Sequence, residues 1–183
     1  MDNPVQHIKH PYTKLFLVGF MGSGKSAIGK RLAQLAGFPF YDTDTLFEQE
    51  YKTSIASYFT TYGEAEFRLK ENLLIRRLAK QSSSMIVATG GGMPCFHNGI
   101  DIMNEAGYSI YLQLPAAVLF SRLKQSVKNR PLLKEKNEDE LQSYIKLLLQ
   151  QREPVYKQAT FIVDGLYSDA DMLLSRLKAL DIL

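Results

Sequence analysis

A short apolar run, Lys14-Leu15-Phe16-Leu17-Val18, opens directly into Gly19-Phe20-Met21-Gly22-Ser23-Gly24-Lys25-Ser26, and this junction restricts the chain more than any other feature. The second stretch fits the spacing G-x-x-x-x-G-K-[ST]. Gly22 and Gly24 reach backbone conformations closed to residues with a Cβ, so successive N–H groups can turn inward and form a positively polarised hollow. Phosphate oxygens suit such a hollow, and Ser23 and Ala27 complete the stretch that would hold them. Lys25 adds a mobile positive charge for the β- and γ-phosphates of ATP, and the Ser26 hydroxyl can take a Mg²⁺ coordination position. The flanks agree. The apolar run reads as a buried strand, and Ser26 to Ala36 as a helix whose N-terminus faces the phosphates. Ile28, Leu32, Leu35 and Ala36 form its apolar face, and Gly37 stops it.

The rest of the chain repeats this alternation. Pro39 to Asp42 reads as a short strand. Leu46 to Tyr62 reads as two short helices broken around Lys52-Thr53-Ser54, with Thr53 or Ser54 capping the second. Gly63 separates these from a long helix, Glu64 to Lys80, with Phe67, Leu74, Ile75 and Leu78 turned inward. Met85 to Ala88 is a continuous apolar run, hence a strand buried on both faces. A helix over 100–106, a strand over 109–112, helices over 116–124 and 140–156, a strand over 160–163 and a closing amphipathic helix over 169–180 follow. Five short strands alternating with helices predict an α/β fold with a five-stranded parallel sheet covered on both faces, and ligands at the carboxyl ends of its strands. At 183 residues this is one domain, 14–183, behind a flexible extension, 1–13.

One segment breaks the pattern. Residues 125–139 are rich in charge, carry Arg130-Pro131 and show little core-forming periodicity. A stretch this long is expected to be a mobile lid. An arginine there, Arg130, could arrive over the phosphates only when the site closes. The formal charge of +3 does not by itself imply nucleic acid, and a small acidic substrate with ATP suits it equally. Cys95 is the only cysteine, so no intrachain disulfide forms and a reducing compartment fits. No apolar run reaches the length of a membrane span, and residues 1–13 lack a signal-peptide core, so a cytoplasmic protein is expected. His7 and His10 have no third ligand beside them and carry little weight as a metal site.

Polar residues gather where the predicted strands end. Asp42-Thr43-Asp44 and Thr89-Gly90-Gly91-Gly92 both fall at such ends, alongside the phosphate loop. Of two aspartates there, one can hold Mg²⁺, directly or through water, and the other can take the proton of an attacking hydroxyl. The structural alternative has Asp44 capping the following helix while Asp42 ends a strand. Three consecutive glycines suggest close approach of a ligand to backbone N–H groups. Arg68 and Glu71, spaced i and i+3, read by periodicity alone as a solvated ion pair, and Arg152 as a surface cation.

Together these motifs resemble the shikimate kinase family over nearly the whole chain. They are G-F-M-G-S-G-K-S (19–26), Asp42-Thr43-Asp44, Gly63-Glu64-x-x-Phe67-Arg68-x-x-Glu71, Gly90-Gly91-Gly92, Arg130-Pro131-Leu132-Leu133 and Arg152-x-Pro154-x-Tyr156. The resemblance implies a three-layer P-loop kinase fold of the nucleoside-monophosphate-kinase type, with a substrate-binding helical subdomain at about 43–80. It implies phosphorylation of the 3-hydroxyl of shikimate by ATP with Mg²⁺, on the route to chorismate, by a monomer with no nucleic-acid or membrane partner. By position, Gly22 to Ala27 would hold the ATP phosphates, Ser26 the Mg²⁺, and Asp42 its water shell. Asp44 would bind the shikimate hydroxyls and act as base, Lys25 and Arg130 would stabilise the transferred phosphoryl group, and Gly90 to Gly92 would face the substrate. Arg68 and Arg152 would clamp its carboxylate, since two guanidinium forks suit a planar anion. Arg122 falls within one residue of a family position near the adenine. No adenine contact is carried over to Gly165-Leu166-Tyr167-Ser168, where relatives often have a basic residue. The competing expectations are another small-metabolite kinase such as a gluconate kinase, a nucleoside-monophosphate kinase, and a non-catalytic nucleotide-binding regulator.

Overall fold

A computed structural model describes residues 11–126 and 137–183. Its centre is a parallel sheet of five strands, β1 (Lys14–Val18), β2 (Phe40–Asp42), β3 (Met85–Ala88), β4 (Tyr108–Gln113) and β5 (Phe161–Asp164), in the order β2-β3-β1-β4-β5. Register is fixed by pairs such as Leu15 with Ile86 and Leu15 with Tyr108. Every side chain of β1 and β3 is buried, as a central parallel strand with helices on both faces requires. The two-residue period of β1 divides the core. Phe16 and Val18 join one cluster with Phe47, Phe67, Tyr111 and Ile145, while Leu15 and Leu17 join the other with Leu32, Ile110 and Leu173.

Among the described residues seven α-helices cover the sheet. They are α1 (Lys25–Ala36), α2 (Thr43–Tyr51), α3 (Ile55–Lys80), α4 (Gly99–Ala106), α5 (Ala116–Ser126), α6 (Glu138–Tyr156) and α7 (Ala170–Ala179). On one face α1 and α7 pack together, and α1 meets the sheet closely at Gly29, where a Cβ would lie 2.8 Å from Phe40 and 2.9 Å from Leu17. The apolar stripe of α1 is therefore centred on Gly29, Leu32 and Ala33, with Ile28, Leu35 and Ala36 at its margins.

Three boundaries differ from the sequence expectation. The first short helix starts at Thr43 rather than Leu46, because Asp42 caps it. The expected cap and break are both present in α3: Ser54 caps it through Ser57 N–H, and Gly63 splits it into two helical segments at a kink of φ 79°, ψ 170°. The expected lid, 125–139, has helical ends: α5 runs to Ser126 and α6 starts at Glu138 behind a capping box of Asn137 and Glu140. Arg130 and the rest of that segment lie outside the described residues, as do His7 and His10. The expected extension is tied down at its last residue, where Thr13 N–H donates to Ser84 Oγ and Thr13 Oγ1 donates to Ile182 O.

Candidate functional site

The loop from β1 to α1 needs left-handed backbone at Gly22 (φ 80°) and Gly24 (φ 100°), which explains the two glycines. Gly24 is the N-cap of α1 and supplies no capping side chain. The Lys25 ammonium is folded into the loop, donating to Gly19 O at 2.9 Å and Phe20 O at 2.8 Å. It is only 8% exposed. A buried cation bonded to neutral carbonyls would gain from a phosphate partner. Beside it opens a cavity of about 310 Å³, lined by Lys25, Ser26, Asp42, Asp44, Thr89 and Gly91 among others.

The two aspartates have separated roles. Asp42 ends β2 and caps α2, its Oδ1 accepting from the N–H groups of Asp44 (3.1 Å) and Thr45 (3.3 Å). Its Oδ2 accepts from Ser26 Oγ at 2.5 Å, so one carboxylate both anchors a helix and meets the hydroxyl of the phosphate loop. The capping offered by sequence to Asp44 thus belongs to Asp42. Asp44 sits in the first turn of α2, exposed into the cavity mouth.

The Arg68–Glu71 pair is not a solvated surface pair. Arg68 is 8% exposed and Glu71 4%. Arg68 Nη1 donates to Glu71 Oε2 at 2.5 Å, and its guanidinium stands 4.3 Å from the Phe96 ring centre and 5.1 Å from that of Phe67. Burial lifts the Glu71 carboxyl to about 7, with the Asp44 charge adding to it, against the pull of Arg68 and Arg152. Arg152 is half-buried on α6, with Nη1 3.7 Å from where a Gly91 Cβ would lie. Tyr156, one turn on, donates to Gly91 O at 2.5 Å. Burial also pushes the Cys95 thiol up to about 11, which fits a packing role rather than a nucleophile.

The triple glycine holds these halves together, for a reason the sequence reading missed. None of the three has positive φ, so conformation does not demand glycine. Space does. A Cβ on Gly90 would lie 2.7 Å from Asp44 Oδ1 and 3.0 Å from Glu71 Oε1, and one on Gly92 would overlap Arg68 Nη1. The Gly90 N–H is donated to Thr43 Oγ1 at 2.8 Å and is not presented to a ligand. At Gly90 and Gly92 the close approach is made by the protein's own side chains, while Gly91 lines the cavity.

Comparison with known proteins fits this arrangement. The shikimate kinase family model matches residues 21–179. A shikimate kinase of Bacteroides fragilis is 37% identical over 149 residues, spanning 81% of this chain and 83% of that protein. The chain belongs to the shikimate kinase family. The crystal structure of the family member from Bacteroides thetaiotaomicron superposes with a TM-score of 0.85 at 34% identity, covering 93% of this chain and 99% of that one. The family member from Acinetobacter baumannii, solved in complex with shikimate, gives a TM-score of 0.82 at 29% identity and covers 93% of each chain.

For this shikimate kinase family chain, the expected site residues fall into three groups. Gly22, Gly24, Lys25, Ser26, Ala27, Asp42, Asp44 and Gly91 line one cavity. Ser23 is buried beneath it, and Arg68 and Arg152 adjoin it through Gly91 and Gly92. Arg130 lies outside the described residues. A second hollow of about 430 Å³ adjoins Gly24 and Ala27 and is bordered by Arg122, Gly165, Ser168 and Asp169, so Arg122 and the Gly165 stretch, both considered for the adenine from sequence, lie together. Arg122 Nη1 donates to Ser23 O at 3.3 Å and Gly22 O at 3.4 Å, so it supports the outer wall of the loop.

Proposed function

We propose that this chain transfers the γ-phosphoryl group of ATP to the 3-hydroxyl of shikimate, giving ADP and shikimate 3-phosphate. The observation that carries the reading is the juxtaposition of a phosphate loop with Asp44 and a buried arginine. The loop holds a polyphosphate, and Arg68 with Arg152 offers planar donors to a carboxylate. Asp44 stands between them. Lys25 exchanges its carbonyl partners for phosphate oxygens. Ser26 Oγ and Asp42 Oδ2, 2.5 Å apart, fit Mg²⁺, which takes one or two protein oxygens and completes its shell with phosphate and water. When bound, that ion would offset negative charge on the phosphates. Among the described residues no cluster of three His, Cys, Asp or Glu side chains competes as a metal site.

In the transfer, a bond forms between the shikimate hydroxyl oxygen and the γ-phosphorus. The bond from that phosphorus to the β–γ bridging oxygen breaks, leaving with ADP. Asp44 orients the hydroxyl and accepts its proton, which passes to solvent with the products. Because the phosphoryl transition state is loose, orientation carries as much of this role as basicity. The hollow beside Arg122 and Gly165 is assigned to the nucleoside, and Arg130 to closure over the phosphates from a lid at about 125–139. Residues 43–80 form the acid-binding subdomain. We further infer a cytoplasmic monomer acting in aromatic amino acid biosynthesis; among the described residues no helix is long and apolar enough to cross a membrane.

An ADP-release assay with Mg-ATP tests this, offering shikimate, gluconate and nucleoside monophosphates in parallel. Turnover is expected with shikimate alone. A folded protein that leaves shikimate untouched, or prefers another acceptor, would overturn the reading.

A further inference from the structure

Arg68 has two carboxylate partners of unlike standing. Glu71 takes Nη1 and is buried. Glu64 takes the opposite edge, accepting from Nε at 3.1 Å and Nη2 at 2.9 Å through a single oxygen, and 57% of its side chain is exposed. The guanidinium faces are crowded by Phe96, Phe67 and Phe59. An incoming carboxylate therefore meets Arg68 at an edge, and the Nη1 edge is already filled by Glu71 and backed by Gly92. The Nε–Nη2 edge is where a planar carboxylate makes two parallel bonds, one to each oxygen. Glu64 occupies it with one oxygen on two donors, the poorer of the two geometries. Directly before Glu64, Gly63 leaves helical geometry at φ 79°, ψ 170°, with no heavy atom within 4 Å of the place a Cβ would take. The Glu64 side chain can swing to water there without disturbing a packed face.

We propose that Glu64 is a resident stand-in for the substrate carboxylate, a positioning residue that orients Arg68 in the empty enzyme and is displaced when the acid docks. This rests on the shikimate reading above. The exchange replaces one oxygen on two donors by two oxygens on two donors, and returns Glu64 to solvent. Glu64 is then an intramolecular competitor, and its removal should tighten binding even though it touches the binding arginine. An ion pair with one partner this exposed shifts an equilibrium constant by about two- to fivefold.

Calorimetric titration of shikimate into the nucleotide-free wild type, Glu64→Gln and Glu64→Ala at low salt tests the sign. The carboxamide of shikimate, which cannot displace an ion pair, serves as the control ligand. Both variants are expected to bind shikimate about two- to fivefold more tightly, with carboxamide affinity unchanged and ligand-free Tm equal or lower. Weaker or equal shikimate affinity in the variants would make Glu64 a prop or a spectator and overturn the proposal. An equal gain for the carboxamide would also overturn it, as a general effect of lost charge. A wild type that neither binds nor phosphorylates shikimate would remove the functional reading and this inference together, and the wild-type titration separates that case from the others.

Discussion

Replacing Gly92 by alanine puts one methyl group against Arg68, the arginine proposed to bind the substrate carboxylate, while leaving every proposed ligand-contacting side chain in the chain. The backbone at Gly92, φ −88° and ψ −26°, is open to any residue. Alanine there restricts the unfolded chain and on that count favours the fold by about 0.4–1 kcal/mol. The methyl would overlap Arg68 Nη1 and lie 2.7 Å from Cζ and 2.9 Å from Nη2. Non-bonded carbon contacts settle near about 3.5 Å, so the guanidinium must retreat by about 1 Å. It has little freedom to do so, because Glu71 and Glu64 hold its nitrogens and Phe96 lies on its face. Retreat stretches the 2.5 Å bond to Glu71 beyond good hydrogen-bond geometry. The same retreat draws the guanidinium away from the position proposed for the substrate carboxylate, and loss of one charge-assisted hydrogen bond there, worth about 1.5–3 kcal/mol, corresponds to a rise of about ten- to a hundredfold in KM for shikimate. The coupled assay at saturating Mg-ATP measures this directly, and KM for ATP is expected to stay within about twofold, since the phosphate loop is not crowded by the methyl. A folded Gly92→Ala enzyme with an unchanged KM for shikimate would show that Arg68 does not meet the substrate from its present position.

Three further outcomes follow from the same geometry. Lys25→Ala should lower kcat on the order of a thousandfold, with circular dichroism unchanged; near-normal turnover in a folded variant would remove Lys25 from phosphate binding. Asp44→Asn should lower kcat by about a hundredfold or more while KM for ATP changes little, and the converse pattern, with Asp42→Asn losing turnover and Asp44→Asn keeping it, would exchange the two roles. Glu71, lifted to about 7 by burial, holds its proton more tightly folded than unfolded. Its protonation therefore contributes stability that is full below its ordinary value of 4.5 and declines as pH rises, gone above about 7. Thermal denaturation of Glu71→Gln should lack that part of the pH slope, and an identical slope in wild type and variant would refute the shift.

The phosphate loop and the strands were legible because each is written in local chemistry. β1 was bounded correctly by its apolar run, and the Gly63 break by a glycine in a helical pattern. The burial of Arg68 and Glu71 was not legible, since i, i+3 spacing says only that two side chains share a helix face. What buries them is Phe96 and the side-chain-free wall of Gly90 to Gly92, some twenty residues further on and invisible to helical periodicity. The start of α6 reads two residues late in the sequence for a different reason. Glu138 and Asp139 look like loop composition, yet acidic residues in a first turn are what a helix N-terminus favours, and Asn137 caps it. Charge content alone does not tell a solvated loop from the start of a helix.

In the proposed mechanism, the interlock at residues 90–92 ties the arginine assigned to substrate recognition to the carboxylate assigned to catalysis. Asp44 arrives from α2, Glu71 and Arg68 from α3, and Arg152 with Tyr156 from α6, and all converge on the same three glycines after β3. Gly90 is tied to α2 by Thr43 and Gly91 to α6 by Tyr156, so the peptide between them senses both helices. A shift of Arg68 presses on Gly92, and a shift of Asp44 presses on Gly90, two residues away in a stretch whose carbonyls already anchor the turn to Met93 and Cys95. Gly90 and Gly92 leave no room there for even one methyl group, and interiors at native density transmit displacement rather than absorb it. On the proposed roles, seating the carboxylate on Arg68 would help fix where Asp44 stands relative to the reacting hydroxyl. An acceptor alcohol lacking the acid group forfeits this alignment along with its anchor, so its deficit should appear in kcat as well as in KM.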